Sequence, residues 1–158
     1  RPGYYEQIDL GFNYRLTDIG GALGCAQLDR LDLFLEKRRI LVQKYNQELR
    51  NLPVILPQEK EHLESSWHLY VLQIDYTKAL VDRDTVFSRL REAGIGVNVH
   101  YIPVHTQPFY KRRGFHVGDY PEAEKYSSHA ITIPLYYDLT EEQQSHVIDA
   151  IRKSLLEK

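Results

Sequence analysis

The sequence has no methionine and one cysteine, and both scarcities carry information. A single thiol, Cys25, rules out an internal disulfide framework and a cysteine-built zinc site. With Ala22, Leu23 and Leu28 around it, Cys25 reads as a small buried hydrophobe rather than a nucleophile. No apolar run approaches the roughly 18 residues of a membrane helix, and no signal-peptide pattern is present. The expectation is therefore a cytoplasmic chain with no membrane partner. Net charge is also lacking: 20 basic and 22 acidic residues are interspersed and leave −2, which argues against a nucleic-acid footprint. There is no G-x-S-x-G, no Walker loop and no dinucleotide fingerprint. Arg1-Pro2-Gly3 stands where a starting methionine would, so the chain reads as an internal or C-terminal piece.

What is present fits one domain with an arm. At 158 residues, a core can bury roughly 70% of the unfolded surface. Residues 1–16 lack a helical period and are punctuated by Pro2 and Gly3, as an extended arm would be. Thr17 is placed to cap a long helix over 17–52, with Asp18 in its first turn. Apolar positions such as Ile19, Leu23, Leu31, Leu35, Val42, Tyr45 and Leu49 form its stripe. Gly20, Gly21 and Gly24 each cost that helix about 1 kcal/mol against alanine, which implies close packing at that end.

Residues 53–158 read as a small α/β domain. Strands are expected at 68–75, 95–100 and 131–134. Helices are expected from Asp82 or Asp84 to Ala93, from Pro121 to about Ala130, and from Thr140 onward. Thr140-Glu-Glu-Gln143 is a capping-box pattern. The fold class is α/β (α+β-like), one small sheet with helices on one side.

Two segments concentrate chemistry. Gly11-Phe-Asn-Tyr-Arg-Leu-Thr-Asp18 sets a glycine, an amide, a phenol and a guanidinium just ahead of a helix start. Such groups suit an anion met from a subunit edge. His100-Tyr-Ile-Pro-Val-His105-Thr-Gln-Pro-Phe-Tyr110 follows a predicted strand end, where α/β proteins place ligands. His100 and His105 read either as contacts to a polar or anionic ligand or as satisfied loop histidines. Their spacing of five in an irregular loop offers no metal site, so none is expected. The 12 tyrosines cluster near both segments, either as an interface or ligand wall or as amphipathic surface. None of the eight lysines stands among the partners that a pyridoxal lysine needs.

These residues resemble a known family. Gly11 to Ile19, Ala22-Leu-Gly24, Gln27 to Leu31 and Arg38-Arg39 are similar to the sugar-nucleotide aminotransferases of the DegT–DnrJ–StrS family. The resemblance continues through Gly94 to His105, Gln107 to Tyr110 and Ile133 to Thr140, and so covers essentially the whole chain. The His-Tyr-Ile-Pro-Val-His form resembles the branch acting on UDP-linked 4-keto-6-deoxy amino sugars, with the pseudaminic-acid and spore-coat polysaccharide proteins.

The resemblance implies a pyridoxal 5'-phosphate enzyme of fold type I, with this chain as its C-terminal part and the Schiff-base lysine upstream of Arg1. It implies an amino group moved from glutamate to a nucleotide-linked keto sugar, in a homodimer joined through the arm and the long helix. Asn13 would serve the cofactor phosphate across the dimer, with Arg15 beside it at the cofactor site, either contacting an anion or holding the arm in place. Tyr14, His100, Tyr101 and His105 would lie on the substrate side, with Tyr14 at the interface. A chain lacking the lysine would be inactive alone. The alternative is a non-catalytic binding or assembly module that keeps the small-domain fold.

Overall fold

The computed structural model describes residues 4, 6, 8–12 and 14–156. The chain divides into two compact units, Arg1–Leu33 and Phe34–Lys158.

In the first unit the Thr17 hydroxyl accepts the Gly20 N–H at 3.1 Å and opens helix α1 (Asp18–Leu28), as its position predicts. The expected single helix is interrupted after Leu28. The Asp29 N–H bonds back to both Cys25 and Gln27, and the Arg30 N–H reaches Gln27 at 3.2 Å. The two bonds to Gln27 are shorter in range than the α-helical bond to Cys25; they tighten the last turn and end α1. A new helix, α2 (Leu31–Leu49), follows with Asp32 in its first turn.

For α1 one expectation fails and a second is met only in part. Cys25 is exposed, and α1 contains no buried residue, so its apolar positions cover no core in this unit. Its glycines are not uniformly crowded. A Cβ at Gly20 would stand 2.9 Å from the Leu16 side chain, but one at Gly21 or Gly24 would meet nothing within 4 Å.

The second unit is built on Leu41, Val42, Tyr45 and Leu49 of α2, all buried. Strands β1 (Val54–Ile55) and β2 (Tyr70–Ile74) come next. Helix α3 (Arg83–Glu92), the short α4 (Pro108–Lys111) and α5 (Pro121–His129) precede strand β3 (Ala130–Ile133) and helix α6 (Glu141–Leu156). The sheet runs β1-β2-β3, antiparallel throughout, with Tyr70 opposite Ile133 and Val54 opposite Ile74. β2 alternates buried and half-buried residues, whereas every residue of β3 is buried. Val86 and Leu90 of α3 join Val147, Ile148, Ile151 and Leu155 of α6 in the same core. Among the described residues, no helix is long and apolar enough to cross a membrane.

Local capping chemistry sets the helix starts. The Asp82 carboxylate accepts the Thr85 N–H at 2.7 Å and opens α3. Beyond its end, Gly94 takes φ 78°, a left-handed conformation that glycine adopts without a Cβ clash. The Thr140–Gln143 box closes reciprocally: the Gln143 N–H reaches the Thr140 hydroxyl at 3.2 Å, and the Thr140 N–H reaches Gln143 Oε1 at 3.0 Å.

The strand expected over residues 95–100 does not form. It shrinks to one bridge, Asn98 to Thr132, made by two backbone hydrogen bonds of 3.2 and 2.8 Å. The reason is local. The next pairing position would set Gly96 opposite Pro134, which has no N–H to give, and the Val99 N–H, which faces away from β3, goes instead to the Asn98 side-chain oxygen at 2.8 Å. β1 was not expected, because Pro53 and Pro57 flank a two-residue strand that carries no period.

The Asp82 cap carries a pH dependence. Hydrogen bonds from Thr85, the backbone N–H first, hold its carboxyl below the usual carboxylate range. A depressed folded value contributes stability above the unfolded value and loses it as pH falls through the folded value. Asp82→Asn keeps a cap without a titrating group. The stability difference between wild type and Asp82→Asn is therefore expected near neutrality and should vanish in acid. Urea unfolding midpoints measured across the acid range check this, and a pH-independent difference would overturn it.

Candidate functional site

The loop after α3 carries the second unit's candidate residues. Ile95 and Val97 are buried in the core, and the bridge at Asn98 ties the segment to β3. His100 follows at once. Its Nδ1 lies 2.7 Å from the Thr132 hydroxyl on β3, and its ring meets Tyr101 edge-on at 4.5 Å. The peptide bond between His100 and Tyr101 is cis. Tyr101 itself is 70% exposed.

The chain then turns through a 3-10 turn, Val104–Thr106, whose middle residue His105 is buried. Its Nε2 lies 2.7 Å from Glu124 Oε1 in the first turn of α5, and its ring tilts against Tyr120 at 4.8 Å. The same Glu124 oxygen accepts the Gly118 N–H at 2.7 Å. Those two contacts, Gly118 first and His105 second, hold the Glu124 carboxyl below the usual carboxylate range. Beside this pair is an open hollow of about 360 Å³ whose walls include His105, Tyr110, Phe115 and Tyr120. The Arg113 guanidinium lies 3.7 Å over the Phe109 ring, so this cation is stacked on an aromatic face.

Of the predicted site residues, His100 and Tyr101 touch each other, while His105 turns inward to Glu124. Tyr14 and Arg15 belong to the first unit and are exposed; Tyr14 stacks on Phe12 at 5.6 Å. Asn13 lies outside the described residues. Sequence reasoning did not single out Thr132 and Glu124. They sit 32 and 19 residues from the histidines they hold, and neither belongs to a motif that marks it. Among the described residues, no group of three His, Cys, Asp or Glu side chains could hold a metal ion.

The chain is 35% identical over 156 residues to the uncharacterized protein MJ1066 of Methanocaldococcus jannaschii, covering 98% of this chain and 40% of that protein. It is 36% identical over 152 residues to the spore coat polysaccharide biosynthesis protein SpsC of Bacillus subtilis, covering 94% of this chain and 39% of SpsC. The chain thus spans about two fifths of the length of these relatives. Among solved structures, the PLP-form of the putative sugar aminotransferase Spr1654 of Streptococcus pneumoniae superposes with a TM-score of 0.86 at 30% identity. That match covers 97% of this chain and 40% of Spr1654. Residues 1–152 match the DegT/DnrJ/EryC1/StrS aminotransferase family, and the chain belongs to it.

Proposed function

We propose that this chain is the C-terminal part of a pyridoxal-phosphate-dependent transaminase that moves an amino group from glutamate to a nucleotide-linked 4-keto-6-deoxy sugar. The product would feed cell-surface or spore-coat polysaccharide synthesis in the cytoplasm. The observation that carries this reading is the family match over residues 1–152. The likeness to the PLP-form of Spr1654, a putative sugar aminotransferase, and the polysaccharide role in the name of SpsC support it.

The chain's own donors fit one end of the cofactor. The Asn13 amide and the exposed Arg15 guanidinium are N–H donors of the kind that hold a phosphate. The described lysines do not fit the aldehyde end, because each is exposed, ion-paired or on the half-buried side of a helix. In this reading, Asn13 and Arg15 reach the cofactor phosphate of a second subunit, and the lysine comes from a preceding domain. Bound pyridoxal phosphate supplies the electron sink that lets an amino group leave one carbon and join another. The segment that carries His100, Tyr101 and His105 lies on the nucleotide-sugar side, and Tyr14 belongs to the subunit interface. The apolar side chains exposed along the arm and α1, such as Leu10, Phe12, Leu16 and Ile19, form the homodimer contact.

The test is transamination by the complete protein, with glutamate and a UDP-linked 4-keto-6-deoxy sugar, followed by detection of the amino sugar and 2-oxoglutarate. No turnover with any nucleotide keto sugar would remove the reading. In the same protein, Asn13→Ala should weaken cofactor retention by about 10-fold or more, the scale of a lost hydrogen bond to a charged group. Unchanged retention on dialysis would take Asn13 out of the phosphate site.

A further inference from the structure

Both histidines of the 100–105 segment direct a ring nitrogen toward the body of the second unit. His100 meets the Thr132 hydroxyl, and Thr132 is only 5% exposed on a fully buried strand. The Thr132 main chain also exchanges two hydrogen bonds with Asn98, so this one residue fixes the segment by backbone and by side chain. At the other end, His105 is 7% exposed and its Nε2 is taken by Glu124, which at the same time holds Gly118. Between these two anchors, Tyr101 and Ile102 are exposed. Among the described residues, no hydrogen bond engages the Tyr101 hydroxyl, and the His100 ring supports the tyrosine ring edge-on.

We infer that Thr132 and Glu124 are positioning residues that pin the 100–105 segment at both ends, so that Tyr101, and not the histidines, presents its hydroxyl to an oxygen of the nucleotide sugar. This rests on the aminotransferase reading above. The chemistry suits the division of labour. A threonine hydroxyl can donate or accept, and so locks His100 in either tautomer, and a carboxylate accepts from both His105 and a backbone N–H. A phenol held on a rigid segment loses little freedom when it meets its ligand, whereas a displacement of about 1 Å can cost on the order of 100-fold in rate.

The experiment uses the complete protein with its cofactor. Thr132→Val keeps the shape and removes the hydroxyl; Thr132→Ser restores the hydroxyl. For Thr132→Val the KM for the nucleotide sugar is expected to rise about 10-fold, while the KM for glutamate moves less than about 2-fold. Thr132→Ser should return the first value to within about 2-fold of wild type. Glu124→Ala should behave like Thr132→Val, and Glu124→Gln, which keeps an acceptor, should be milder. Tyr101→Phe should raise the nucleotide-sugar KM at least as much as Thr132→Val. Equal losses for both substrates, no rescue by serine, or an unaffected Tyr101→Phe would overturn the inference. Histidine ¹⁵N spectra separate it from the functional reading. Thr132→Val should move the His100 Nδ1 resonance and leave His105 in place. If wild type fails to transaminate, the aminotransferase reading falls and Tyr101's substrate role falls with it. An unmoved His100 resonance in an active enzyme overturns the anchoring alone.

Discussion

Tyr45→Ala is expected to cost the second unit about 3–5 kcal/mol, the range for removing a buried aromatic ring. Tyr45 lies at the centre of the core with no exposed surface. Its ring contacts Tyr70 at 5.0 Å, and Tyr70 in turn stacks toward Trp67 at 6.3 Å. Its hydroxyl donates to the Pro134 carbonyl at 2.9 Å, across 89 residues of chain. Alanine would leave a cavity against β2 and an unpaired carbonyl just past β3, two separate losses. Tyr45→Phe removes only the hydrogen bond and should cost about 1 kcal/mol. Since a domain is typically stable by about 5–15 kcal/mol, the alanine variant forfeits a large share of the total. Urea unfolding with equal slopes for the three proteins measures this. A loss under about 1 kcal/mol for Tyr45→Ala would show that the site collapses freely. The alkaline limb gives a second readout. Burial, first among the causes, pushes the Tyr45 and Tyr70 phenols well above their ordinary value. A raised folded value contributes stability that is complete below the unfolded value, near pH 10 for a free tyrosine, and is lost as pH rises beyond it. Tyr45→Phe should therefore flatten part of the stability loss above about pH 10.

Features of this fold that depend on neighbours in sequence were legible in it. Thr17, Asp82 and the Thr140–Gln143 box each satisfy a helix N-terminus within three residues, so spacing alone locates them. Pro121 opens α5 differently, with no side-chain cap: its fixed φ and missing N–H suit the first helical position. At residues 95–100, Ile95, Val97 and Val99 have the period of a strand, but the ladder to β3 would next need an N–H from Pro134 opposite Gly96, and proline has none. Cys25 was misjudged because an apolar sequence neighbourhood predicts burial only where a partner face exists, and α1 has none within its own unit. In the candidate site, the motif made His100, Tyr101 and His105 visible but not their division of roles. That division depends on Thr132 and Glu124, whose side chains arrive from β3 and α5 only after the chain has folded.

The 158-residue chain by itself is expected to bind no pyridoxal phosphate covalently and to catalyse no transamination. A lysine that captures the cofactor aldehyde must first give up a proton, which takes a dry pocket or a neighbouring cation. The lysines of this chain have other surroundings. Lys44 lies 3.4 Å from Glu141 and 3.2 Å from the Ser145 hydroxyl, bridging α2 to α6. Lys78 pairs with Asp75 at 3.0 Å. Lys60, Lys111, Lys125 and Lys153 are exposed to water, and Lys37 lies half-buried on α2. Lys158 lies outside the described residues. Among the described residues of the chain no lysine is buried. Mixing the purified chain with pyridoxal phosphate should thus leave no visible absorbance band after desalting. Borohydride treatment before desalting should trap no cofactor on any one lysine at stoichiometric yield, as read by intact mass. The complete protein, treated identically, should retain the band and gain one cofactor mass per subunit. Stoichiometric trapping on a single lysine of the 158-residue chain would relocate the catalytic centre into this domain and overturn the division of labour proposed for the enzyme.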